Sequence, residues 1–209
     1  MRYLRAILFL SFFLSGFSSL VYEITWTREL TLVLGGTTSA LAAILSAFML
    51  GLALGSLLIG LRIDRWPAPL KVFGLLELII GLGGVLLTFL LPSMGSVFAL
   101  LYHYFSPGSQ TVVALRFFGA FILLLLPTLA MGATFPAIVR AMVISPEDTG
   151  QTAGRLYAVN IAGSVLGVLF AGTYALENLG ALQTVYLAAG INLFVGLLAL
   201  LMPLPTRPP

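Results

Sequence analysis

Six apolar runs, each long enough to cross a bilayer, take up almost the whole of this 209-residue chain. A membrane-spanning helix needs about 20 mainly apolar residues. Inside hydrocarbon, every backbone N–H and C=O must find its partner within protein, so each run is committed to helix. The runs cover residues 6–33, 39–61, 70–91, 112–139, 152–176 and 181–202. What is left is too short for a soluble domain, and a single membrane domain over residues 1–209 is expected. Composition agrees where it decides the class. With 60% hydrophobic and 8% charged residues and a mean hydropathy of +1.11, the chain belongs in a lipid bilayer.

Met1-Arg2-Tyr3-Leu4-Arg5 ahead of an apolar core resembles the start of a signal peptide. The run nevertheless continues to about Leu34, has no small-x-small cleavage site before a polar region, and is followed by more membrane, so it reads as span one. Gly35-Gly36-Thr37-Thr38 is a tight turn. Span two carries Gly51, Gly55 and Gly60 with Ala53 and Ser56, the small-residue spacing that lets helix backbones approach closely. Pro92 is expected to end span three, with Ser93–Thr111, including Tyr102, His103, Tyr104 and Phe105, forming a short helix at the headgroup level. Span four holds Pro127 and Pro136, whose freed carbonyls neighbouring helices must satisfy. The tail Pro203–Pro209 is proline-rich, in the manner of a linker.

If the spans alternate, Arg2, Arg5, Arg62, Arg65, Lys71, Arg140, Arg155 and Arg207 share one side, leaving only Arg28 and Arg116 for the other. That bias predicts cytoplasmic termini. The formal charge of +3 is therefore a matter of membrane orientation; the basic residues are isolated, and no nucleic-acid partner is expected. With no cysteine and one histidine, thiol chemistry and metal-ligand clusters are not expected. Nothing in the chain assembles a serine–histidine–carboxylate set or a phosphate loop, and the reading is of a non-enzyme without cofactor.

The candidate functional residues are those that hydrocarbon would reject. A charged side chain at the bilayer centre costs roughly 2.5–3.5 kcal/mol on insertion scales, so such residues are rare and face protein or water. Tyr22-Glu23-Ile24-Thr25-Trp26-Thr27-Arg28-Glu29 sets three charges into the far end of span one. At about 1.5 Å per residue, Glu23 lies about 27 Å from Arg5. Arg116 enters from that far side and is the expected partner of Glu23, in a layer shared with Arg28 and Glu29. It serves either as a substrate gate or as an ion pair tying span one to span four. Glu77 is placed about 10 Å in from the opposite face, level with Tyr157 and Asn160. It either carries a proton or attracts a cation, or else is paired with an asparagine across a helix contact. Asn192 is expected near the midplane.

Span three reads Glu77-Leu78-Ile79-Ile80-Gly81-Leu82 and span six reads Asn192-Leu193-Phe194-Val195-Gly196-Leu197. Gly55-Ser56 and Gly163-Ser164 sit at a similar offset in the preceding spans. Matched helices run in opposite directions, which predicts two three-helix units of inverted topology. The expected fold is therefore an all-α integral membrane protein with six transmembrane helices in a 3+3 inverted repeat, resembling one half of a major facilitator transporter.

Four segments carry a more specific resemblance: Ser15-Gly16 with Tyr22-Glu23 and Trp26-Thr27-Arg28, Phe48–Ser56, Met131–Pro136, and Gly154–Asn160. Together they resemble the membrane domain of bacterial fused major-facilitator/spermidine-synthase-like proteins. The resemblance implies a bacterial inner-membrane location and an association with a cytosolic aminopropyltransferase-like domain, for which this chain has no Gly-x-Gly-x-x-Gly signature. Gly60-x-x-x-Asp64-Arg65, followed by Lys71, is similar to the facilitator gating loop, but Pro67 stands where glycine is usual. Two functions follow as alternatives. One is a half-size transporter working as a homodimer on polyamines or similar small cations, with Glu23, Trp26, Arg28, Glu77, Arg116, Tyr157, Asn160 and Asn192 along its pathway and Asp64 and Arg65 in a gating loop. The other is a non-transporting membrane anchor or interaction module for an aminopropyltransferase-like partner.

Overall fold

A computed structural model describes residues 2–104, 110–143 and 145–203, and in it these residues are helical apart from short connections. The long helices are α1 (Arg2–Leu34), α2 (Thr38–Gly60), α3 (Pro69–Tyr104), α4 (Gln110–Met142), α5 (Thr149–Phe170) and α6 (Gly180–Leu201). Six helical stretches are long and apolar enough to cross a membrane, so the chain is a multi-pass α-helical membrane protein. Between α1 and α2 the turn is made by Gly35 at φ 91°, which a side chain would strain, and Thr37 caps α2 by accepting the Ala40 N–H at 3.2 Å. Past Phe170, α5 runs through a π-helical turn, Ala171–Ala175, and a last α turn, Leu176–Asn178. Gly180 at φ 77° then reverses the chain into α6.

The helices pack in three dominant pairs, α2 on α4, α1 on α5 and α3 on α6, with α3 also against α4 and α6 against α1. Glycine decides the closeness of each crossing, because lipid offers no hydrophobic drive and backbone contact must supply the attraction. Gly55 rests on the Leu129 carbonyl and Gly132 on the Leu52 carbonyl. In the same manner, Gly163 rests on the Phe13 carbonyl and Gly16 on the Asn160 carbonyl. Gly74 and Gly196 face each other's carbonyls where α3 crosses α6, and Gly81 meets the Ala189 carbonyl a little further along. The outward surface is apolar, with Leu10, Met49, Leu82, Phe89, Ile122, Leu169 and Phe194 exposed, as a surface wetted by acyl chains should be.

Expectation and structure part at Pro92. Rather than stopping, α3 carries Pro92 inside it and continues to Tyr104, so the separate headgroup-level helix expected over Ser93–Thr111 does not form. The reason is that a proline removes one intrahelical hydrogen bond without ending a helix held by its neighbours, and Leu87 and Leu91 just before it are buried in the core. His103 is exposed in the last turn, its ring edge-on to Tyr104. Phe105, in the same expectation, lies outside the described residues, as does most of the Pro203–Pro209 tail.

Candidate functional site

A polar seam runs down one face of α1. Ser11, Ser15, Ser18, Tyr22, Thr25 and Glu29 recur at three- and four-residue steps, and the first five are buried. That spacing puts them on one helical stripe; Ser15 and Tyr22 meet α3, and Thr25 and Glu29 line a cavity with residues of α3 and α6. The seam's innermost charge is Glu77, fully buried on α3. Ser15 Oγ donates to Glu77 Oε1 at 2.5 Å, and Asn192 Nδ2 donates to Oε2 at 2.6 Å. Both donors are neutral. A buried carboxylate held by neutral donors alone keeps its charge uncompensated, which is costly in a low-dielectric interior. Asn192 Oδ1 is itself buried without a hydrogen-bond partner.

Farther along the seam, Tyr22 lies against Gly84 of α3, where any Cβ would run into its ring. Tyr22 stacks on Trp26, with ring centroids 4.7 Å apart and planes 20° from parallel. The Tyr22 hydroxyl and the Trp26 indole N–H are both buried without a hydrogen-bond partner. Such orphans in a native interior call for an explanation in strain, function or an unseen ligand. Beyond them, a cavity of about 160 Å³ is lined by Thr25, Trp26 and Glu29 of α1, Thr88, Leu91 and Pro92 of α3, and Ala181, Leu182 and Val185 of α6. Glu77, Tyr22 and the cavity thus follow one another from the interior toward the end of the bundle opposite the chain's first residues.

Several expected partnerships are replaced. Arg116 does not pair with Glu23: its Nη1 donates to Thr37 Oγ1 at 3.1 Å and Ser39 Oγ at 3.3 Å, tying α4 to the start of α2. Glu23 is half-buried and takes part in no hydrogen bond or ion pair among the described residues, and Arg28 is exposed, so these charges do not form one layer. The cause is depth: the Arg116 guanidinium lies beside Gly35, at the turn after α1, roughly 17 Å of helix beyond Glu23. Glu77 meets Ser15 while the Asn160 carbonyl rests on the adjoining Gly16, so the two lie at one level of α1, and Asn192, expected at another depth, joins them by pairing with Glu77. Asn160 Nδ2 donates to the Phe12 carbonyl at 3.0 Å, pinning α5 to α1. Tyr157 is exposed, edge-on to Phe135.

In the loop between α2 and α3, Asp64 forms an ion pair with Arg140 of α4 at 2.8 Å, while Arg65 is exposed. A shallow crevice of about 660 Å³ opens beside that pair, between Ser56, Gly60, Phe135 and Pro136. Among the described residues no group of histidines and carboxylates is arranged to hold a metal ion. Sequence reasoning missed Ser15, Thr25 and Thr88 as site residues. Their signal was available in the periodic spacing of hydroxyls along an otherwise apolar α1. Comparison of the chain with protein-family models, with curated proteins and with solved structures returns no match.

Proposed function

We propose that this chain is a half-size transporter, resembling one half of a major facilitator protein, that works as a homodimer on polyamines or similar small organic cations in a bacterial inner membrane, with both termini cytoplasmic. The observation that carries the reading is Glu77: a fully buried carboxylate inside the spans, held by Ser15 and Asn192 and reached along a polar seam. An intramembrane carboxylate with no cation on it is costly unless it exchanges charge during a working cycle. A proton or a cationic substrate is the charge that would cycle.

The 3+3 inverted repeat has its own support. Exchanging α1 with α4, α2 with α5 and α3 with α6 carries the pair α2–α4 onto α5–α1, α3–α4 onto α6–α1, and α3–α6 onto itself. The same exchange acts residue by residue. Gly55 becomes Gly163 and Gly132 becomes Gly16, and in both pairs each glycine rests on the carbonyl three residues before its partner. Glu77 becomes Asn192, and these two touch at the self-paired crossing. Gly74 against Gly196 becomes Ala189 against Gly81, which is also a contact. Inverted halves of this kind place coupling sites at the repeat interface near the midplane. Homodimerisation is supported by small residues on outward faces, Ala42, Ser46 and Ala53 on α2 and Gly154, Ala158 and Ala162 on α5, where another helix could approach closely.

Reconstituted vesicles test the reading. Labelled putrescine or spermidine should accumulate above the level of empty vesicles, and Glu77→Gln should abolish the excess. Uptake equal to that of empty vesicles for both amines, with no change on Glu77→Gln or Glu23→Gln, would overturn it.

A further inference from the structure

The cavity at the far end of the seam has a hydrogen-bonding character of its own. Thr25 Oγ1 donates to the Val21 carbonyl at 2.7 Å and Thr88 Oγ1 to the Gly84 carbonyl at 3.0 Å. Both hydroxyl protons are therefore spent within their own helices; Thr25 is fully buried, and what the half-buried Thr88 can still offer is a lone pair. Pro92 adds another acceptor. With no N–H of its own, it leaves the Thr88 carbonyl, four residues earlier, without its α-helical donor, and both residues line the cavity. Glu29, half-buried and without hydrogen bond or ion pair among the described residues, adds a carboxylate. The Trp26 indole N–H is fully buried and adds no donor at the cavity surface.

We infer that this cavity binds the primary ammonium group of a small amine such as ethanolamine, whether free or as the headgroup of an aminoethyl phospholipid. An ammonium has three N–H donors and no acceptor. It distributes them over the Glu29 carboxylate and the Thr88 hydroxyl and carbonyl oxygens, and its charge makes the Glu29 bond a strong one. A quaternary ammonium has no donor for the Thr88 oxygens, and a neutral diol has no charge for Glu29. About 160 Å³ admits a small amine and excludes a bulky one. The site goes beyond the transport reading and does not depend on it, since an amine can be bound here without being moved.

Only Trp26 and Trp66 are tryptophans in the chain, and Trp66 is exposed. Trp66→Phe therefore leaves Trp26 as the sole indole emitter. Purified protein of this background, in phosphatidylcholine nanodiscs, is titrated with ethanolamine, with choline and with ethylene glycol. A saturable change in Trp26 emission is expected with ethanolamine alone. Glu29→Gln should weaken it about tenfold, the effect of losing one charge-assisted hydrogen bond. Thr88→Val, which keeps the shape and removes the hydroxyl, should weaken it more modestly, with circular dichroism reporting that both variants are folded. Phosphatidylethanolamine in the disc abolishes the ethanolamine response if the headgroup is the natural occupant and leaves it intact if the free amine is. An unsaturable response, an equal response to ethylene glycol or choline, or indifference to Glu29→Gln would overturn the site. Binding without vesicle uptake would leave the site standing and remove transport. Uptake without binding would do the reverse.

Discussion

Asn192 and Glu77, on helices that run antiparallel, meet at 2.6 Å where α3 crosses α6, and in the proposed inverted repeat they are equivalent positions. Glu77→Gln keeps the shape of this junction: the carbonyl of the introduced amide can still accept from Ser15, and the Asn192 amide can turn to offer Oδ1, which has no partner now. The expected result is normal expression and a thermal midpoint close to that of the parent protein, with amine uptake lost. A midpoint that drops sharply would mean that the charge is structural.

Asn192→Ala should behave differently. It leaves Glu77 with Ser15 as its remaining hydrogen-bond donor among the described residues, and a buried group stripped of a partner costs about 1–3 kcal/mol. Thermal unfolding in detergent should show that loss, and Ser15→Ala should show a comparable one. If both variants melt like the parent, water must already reach the carboxylate and the interior is not dry.

The glycine crossings yield a test of packing alone. A methyl group at Gly55 or Gly163 would occupy the space of the Leu129 or Phe13 carbonyl, whereas Gly154 and Gly172 have open space around them. Backbone cannot move aside as a side-chain tip can, and overpacking costs about 1–3 kcal/mol. Gly55→Ala and Gly163→Ala should each lower the thermal midpoint by similar amounts, while Gly172→Ala leaves it unchanged. Markedly unequal losses would weaken the equivalence of the α2–α4 and α1–α5 pairs.

These residues also mark how far the sequence could be read. Span existence follows from run length against bilayer thickness, a local property, and all six runs are helices. Glu77 and Asn192 stood out because similar neighbours surround them, and in the structure they touch. Pairings that depend on how far along its neighbour each helix lies were not recognisable: Arg116 reaches Thr37 and Ser39 beside the turn after α1, well beyond the level of Glu23. Nor was the course of α3, since a proline's local preference to end a helix was outweighed by the packing of Leu87 and Leu91 around it. The seam was present in the spacing of serines and threonines along α1. Hydroxyls, however, satisfy themselves on their own helix as often as they mark a path, and only Glu77 and the cavity distinguish the two.

Asp64 and Arg140 bridge the α2–α3 loop to α4 at 2.8 Å, but the Asp64 side chain is 80% exposed. Surface pairs of this kind contribute about 0–1 kcal/mol and are screened by salt. Asp64→Asn is therefore expected to leave the thermal midpoint nearly unchanged while altering uptake rate, if the loop moves during a transport cycle. The charge-reversed pair, Asp64→Arg with Arg140→Asp, should recover part of the lost rate, and raising ionic strength should blunt the difference between single and double variants. Equal rates in all three proteins would show that the bridge plays no part in the cycle.

The homodimer can be tested without background, because the chain has no cysteine. Ala53 on α2 and Ala158 on α5 are exposed small residues, at which a second copy could come close. Ala53→Cys or Ala158→Cys should form a disulfide-linked dimer under mild oxidation in native membranes. Ile122→Cys, exposed on α4 among bulky side chains, should not. A two-fold axis brings each residue on it near its own copy, so only positions close to that axis can link to themselves. Linking at Ile122 and at neither alanine would place the axis on α4 and separate the dimer from the small-residue faces. No linking at any of the three, in membranes where the protein is abundant, would count against a dimer on these faces and leave uptake to a single six-helix unit, whose path would then have to be the seam between α1, α3 and α6.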